Sequence, residues 1–103
     1  MISNQILQNT IEGLKAITRI DLCVTDIDGK TLASTFTENE DCGSAVMSFA
    51  ESPADSQVVQ GYQFFKIFDE NQLEYILLAK GGSDDVYMVG KIAAFQLQNL
   101  LIA

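Results

Sequence analysis

The sequence predicts an α+β domain in which two antiparallel hairpins form a single sheet flanked by helices, in the order α-β-β-α-β-β-α. Three observations carry this. The hydrophobic spacing changes from three-and-four to two near residue 20. Two tight-turn signals, Asp28-Gly29 and the stretch DENQ at 69–72, each separate runs of strand-forming residues. Apolar positions at helical spacing both open and close the chain. At 103 residues, 48% of them hydrophobic, with one proline and seven glycines, the chain has the make-up of one packed domain spanning residues 1–103.

Residues 3–18 place Ile6, Leu7, Ile11, Leu14 and Ile17 three and four apart, with Gln5, Gln8, Asn9, Glu12 and Lys15 between them, which is an amphipathic helix. From Ile20 the period is two. Ile20, Leu22 and Val24 take one face and Asp21, Cys23 and Thr25 the other, and a second alternating run covers Lys30 to Phe36. Asp28-Gly29 between these runs is expected to supply the positive φ angles of a hairpin turn. Thr37 to Asp41 is polar, and Asp41 is placed to cap a short helix through SAVMSFAE that ends at Ser52-Pro53.

Gln57 to Asp69 is rich in β-branched and aromatic residues and reads as one strand, which DENQ reverses into LEYILLAK, residues 73–80. On the first of these, Tyr62, Phe64 and Phe68 share one face while Phe65 and Ile67 take the other, so both faces are expected to be covered. Gly81-Gly82 breaks the second strand. Ser83 is placed as an N-cap, Asp84 and Asp85 suit the positive end of a helix, and the last helix runs from there to the end of the chain. This succession of elements is that of PAS, profilin and roadblock domains, whose members serve as sensors and scaffolds.

Charge narrows the partners. Six basic residues, scattered along the chain, face 14 acidic ones for a net charge of −8, which suits neither nucleic acid nor an anionic membrane. No stretch is long and apolar enough for a membrane span or a signal peptide, so a cytoplasmic protein is expected. With no histidine, and with Cys23 and Cys42 19 apart outside any C-x-x-C pattern, neither a metal site nor a Cys/His catalytic pair is expected, and no cofactor is implied.

VTDIDGK at 24–30 also has the aspartates and glycine that open haloacid-dehalogenase phosphotransferases, with Asp26 as nucleophile and Asp28 as acid/base, and GGSDDVYMVG at 81–90 has the look of their magnesium-binding stretch. Such an enzyme needs a parallel, doubly wound sheet, and the 74 residues after Gly29 are dominated by a hairpin. Lys30 also stands where that family has a threonine. The phosphatase is therefore the remote alternative, and the aspartates read first as turn and helix-start residues.

Residues 5–34, QILQNTIEGLKAITRIDLCVTDIDGKTLAS, resemble the opening of the N-terminal sugar-diacid recognition domain of bacterial carbohydrate-diacid regulators, and residues 61–102 resemble its closing strands and helix. The resemblance implies a non-catalytic sensor that binds a small acid, dimerises and signals to a DNA-binding domain elsewhere in a transcription factor. Where that family carries an arginine- and histidine-bearing stretch, this chain has TFTENEDCGSA, whose Glu38, Glu40 and Asp41 suit a neutral or cationic ligand, or none. Thr35, Thr37 and Asn39 are then the candidate ligand contacts. The alternative is a stand-alone roadblock-like scaffold that dimerises without binding a metabolite.

The last helix points to the partner. Val86, Val89, Ala93, Leu97 and Leu100 form one apolar stripe, and Met88, Ile92, Phe95 and Ile102 form a second on another face. One sheet covers only the first. The second is expected to be a homodimer interface.

Overall fold

The structure is a computed structural model that describes residues 2–37 and 42–102. Its elements run α1 (Asn4–Thr18), β1 (Leu22–Thr25), β2 (Thr31–Ser34), α2 (Gly43–Glu51), β3 (Ser56–Val59), β4 (Tyr62–Asp69), β5 (Gln72–Lys80) and α3 (Asp84–Ile102). The strands form one antiparallel sheet in the order β2-β1-β5-β4-β3. This is the α+β class that the sequence predicts, with one strand more.

The extra strand comes from a break at Gln60-Gly61. Both residues have positive φ (50° and 84°), and Val59 pairs with Tyr62, so they form a two-residue turn of the kind that matches sheet twist. The run 57–69 is thus two strands rather than one, and the sheet holds three hairpins rather than two. The β4–β5 turn is built alike, with Glu70 and Asn71 at φ 50° and 71° and Asp69 opposite Gln72. The β1–β2 turn differs from the expected pair of positive φ angles. Only Gly29 (φ 89°) takes one, and the loop is held by Asp26, whose carboxylate accepts from the amides of Asp28 and Lys30, both at 2.9 Å.

Two cores lie on opposite sides of the sheet. Leu7 and Ile11 of α1 and Val86, Ala93 and Leu97 of α3 pack on Leu22, Val24, Phe65, Ile67, Leu77 and Ala79. On the other face Val46 and Phe49 of α2 meet Cys23, Phe64, Ile76 and Leu78. The alternation read along β1, and along β4 as far as Ile67, is therefore the observed one, while Phe68, past the register shift that follows Ile67, joins neither core; both faces of the sheet are covered. A ring-edge contact between Phe49 and Phe64, 5.6 Å apart and nearly perpendicular, fixes α2 on its face.

Serine caps open the first and last helices. Ser3 caps α1 by accepting from the Ile6 amide, and Arg19 closes it in the left-handed region at φ 65°. Ser83 accepts from the Val86 amide at the start of α3, with Asp84 and Asp85 in the first turn. For α2, the expected cap Asp41 lies outside the described residues. Cys42 holds the N-cap position and makes no side-chain cap bond, while Ser52 ends the helix in an extended conformation before Pro53.

Candidate interaction surface and polar groove

Asp26, the would-be nucleophile, lies just past the end of β1, a strand antiparallel to both neighbours, and its carboxylate is committed to two turn amides. The doubly wound parallel sheet that a haloacid-dehalogenase enzyme requires is not this fold. Asp84 and Asp85 occupy the first turn of α3, and among the described residues no group of three or more histidines, cysteines or acids is placed to hold a metal ion. The aspartates thus act as structural punctuation.

Thr35, a predicted ligand contact, lies just past β2 and is half-buried. Its hydroxyl donates to Asp21 Oδ1 at 2.9 Å and receives the amide of Leu22 at 2.9 Å. Asp21 also accepts from Lys15 Nζ at 2.6 Å, which holds its carboxyl below the ordinary carboxylate range, with the Thr35 hydroxyl helping and partial desolvation opposing. Thr37 is exposed, and Asn39 lies outside the described residues.

Thr35 and Ser34 form one wall of an open groove of about 540 Å³, whose other wall is Gln8, Glu12, Lys15, Ala16 and Arg19 of α1 and its cap. The groove is knit internally. Gln8 bonds both backbone groups of Ser34, accepting from its amide at 3.0 Å and donating to its carbonyl at 2.9 Å, so the outer edge of β2 is capped by a helix side chain. The Arg19 guanidinium makes no hydrogen bond or ion pair among the described residues. Sequence reasoning missed Gln8, Lys15 and Arg19 because nothing local says that the solvent side of α1 faces β2.

The second stripe of α3 behaves differently. Val86, Ala93 and Leu97 are buried against the sheet, and Leu100 packs beside them. Met88 (64% exposed), Ile92 (55%), Phe95 (67%) and Ile102 (70%) all face outward. Four large side chains this exposed present roughly 400 Å² of apolar surface, which is patch scale rather than scattered exposure. On α1, Ile6 and Ile17 are exposed as well.

Two further glutamines hold the elements that carry this face. Gln63, buried on β4, donates to the carbonyls of Gly81 (3.3 Å) and Ser83 (2.9 Å), which fixes the entry to α3. Gln98 of α3 bonds both backbone groups of Phe68, accepting from its amide at 3.0 Å and donating to its carbonyl. That contact lies at the bulge between Ile67 and Phe68, where the ladder to β5 shifts register. The row on α3 is therefore presented from a rigid base.

A five-stranded antiparallel sheet in this order, with two helices on one face and one on the other, is a roadblock/longin-like architecture. Among solved structures the chain is similar to Myxococcus xanthus MglB, with a TM-score of 0.59 and 14% identity over 97% of this chain and 92% of that one. The likeness is one of fold. No protein-family model matches the sequence, and no curated protein matches it either. Among the described residues no helix is long and apolar enough to cross a membrane.

Proposed function

We propose that this chain is a non-catalytic interaction module that works as a cytoplasmic homodimer and scaffolds partner proteins without binding a metabolite. The observation that carries the reading is the outward apolar row of α3, Met88, Ile92, Phe95 and Ile102, which is the dimer face. The roadblock/longin-like architecture supports a scaffold. So does the state of the groove beside β2, where the hydroxyl of Thr35, the fork of Gln8 and the ammonium of Lys15 are already engaged with the protein itself. A net charge of −8 argues against nucleic acid and anionic membrane as partners.

Sedimentation of the native chain at micromolar concentration tests this. A dimer is expected, and Phe95→Asp is expected to give a folded monomer with unchanged circular dichroism. A native chain that stays monomeric at 100 µM would overturn the reading.

One observation favours a second reading, the ligand sensor of a transcriptional regulator implied by the resemblance to sugar-diacid recognition domains. The groove is lined by Arg19, whose guanidinium makes no hydrogen bond or ion pair among the described residues, beside Thr35, while Lys15 is held by Asp21 and Glu12 lines the same wall. A ligand taken there would be a small anion met by Arg19 rather than the neutral or cationic one that loop 38–41 suggested. A thermal-shift panel of sugar acids, neutral sugars and amines separates the readings. A rise with acids only, lost in Arg19→Ala, supports sensing, and no rise at millimolar ligand rejects it.

A further inference from the structure

We infer that the outward row of α3 is a seam for the same helix of a second copy laid antiparallel, with Ile92 of each chain packed against Phe95 of the other about the dyad. The inference rests on the dimer proposed above and adds to it a direction, a register and a role for Asn99.

Spacing comes first. The outward positions Met88, Ile92, Phe95, Asn99 and Ile102 are separated by four, three, four and three residues. That is the repeat by which one helix inserts side chains between those of another. The sheet-facing positions Val86, Gly90, Ala93 and Leu97 repeat the same interval on the opposite side of the helix and are already occupied by the sheet. A helix with two opposed seams, one of them covered, is built to take a second helix on the other.

Composition then selects the occupant. In a chain with 19% charged residues, the outward row contains none, and charge depletion is the mark of an interface centre rather than a solvated face. Lipid is a poor occupant, because a helix lying on a membrane needs a basic rim, whereas α3 offers Lys91 against Asp84 and Asp85. One helix row of roughly 400 Å² is about half of what each partner contributes to a standard interface, so the exposed Ile6 and Ile17 of α1, on the same side of the sheet, are called on to extend it. A twofold pairing satisfies this with a single kind of chain, since each copy brings the same apolar surface.

Charge also sets the direction. In a parallel pair, Asp84 and Asp85 of both chains would gather at one end, four carboxylates in chains that already carry −8 each. An antiparallel pair holds the two acidic ends about 27 Å apart and opposes the helix dipoles. With the dyad between Ile92 and Phe95, Asn99 falls opposite Met88, off centre, where its amide keeps water. Moving the register by one turn toward the C-terminus would place Asn99 over Ile92 and bury that amide without a partner. Asn99 therefore selects register at a cost in affinity, as a polar residue in an apolar seam does.

Cysteine cross-linking reads the direction. In a Cys42→Ser background, which leaves Cys23 buried, Met88→Cys and Asn99→Cys chains are oxidised separately and as a mixture, and the products are weighed. Antiparallel pairing gives a covalent heterodimer in the mixture and little from either chain alone. Efficient cross-linking of Met88→Cys by itself means parallel helices and overturns the inference. So does a mixture that sediments as a dimer yet yields no covalent product, while leaving the dimer reading intact. A mixture that sediments as monomer sinks both. Independently, Asn99→Ile is expected to tighten the dimer at least tenfold, and a weaker dimer would count against the seam.

Discussion

Asp21 and Asp26 lie five residues apart and were indistinguishable in type from sequence, but their surroundings give them different tasks. Asp26 binds amides of its own turn, an arrangement that D-I-D-G already signals locally. Asp21 ties Lys15 of α1 to Thr35 beyond β2, contacts 6 and 14 residues away that no local pattern announces. This is why Thr35 was legible as a polar residue but not as one whose hydroxyl is engaged. Asp21→Asn is expected to cost about 1 kcal/mol at neutral pH, a modest figure because Lys15 and Asp21 are both partly exposed. Since Lys15 holds the folded carboxyl below its ordinary value, the contribution is full above about pH 4 and is lost as the pH falls through the lower folded value. Urea unfolding of both chains should therefore show a gap at pH 7 that closes under acid. A gap that widened on acidification would mean that Asp21 acts otherwise.

Among the elements, α3 depends on a glycine for its seat. A Cβ at Gly90 would lie 2.2 Å from Phe65 Cε2 and 2.4 Å from Cζ, so the helix lies flat on β4 only because no side chain intervenes. Gly90→Ala is expected to destabilise by about 1–3 kcal/mol through overpacking, despite the better helix propensity of alanine. In a Phe65→Leu background the same substitution should cost markedly less, and thermal melts of the four chains measure that coupling. Equal costs in both backgrounds would place the strain elsewhere. Nothing in the local sequence explains a glycine at position 90, because its reason lies on a strand 25 residues away. The Gln60-Gly61 break was hidden for a different reason. Glutamine is not a turn signal, and the β-rich run continues in kind on both sides, whereas Asn71 in DENQ announces the equivalent turn openly. Periodicity alone makes the helices and the two faces of β1, and of β4 as far as Ile67, readable; it says nothing of the register shift that sets Phe68 apart.

At the scale of the molecule, both faces of the sheet are covered and its β2 edge is capped, while β3 forms the other edge. Gln8 caps the outer edge of β2, Asp55 and Gln98 take up Lys66 and Phe68 on β4 beyond the end of β3, and helices cover both faces. The outward side of α3 is the largest apolar exception. If that side is buried in a dimer, folding and association are linked, and stability must depend on concentration. The melting temperature of the native chain is accordingly expected to rise by about 2–5 °C for each tenfold increase in protein concentration. Phe95→Asp removes the linkage without touching the core, because Phe95 is 67% exposed in the single chain. Its melting temperature should be independent of concentration and equal to the low-concentration limit of the native protein. A native melting temperature that does not move between 1 and 100 µM, in a chain that sediments as a monomer across that range, would mean that the row on α3 is left open to water, and the dimer would have to be abandoned.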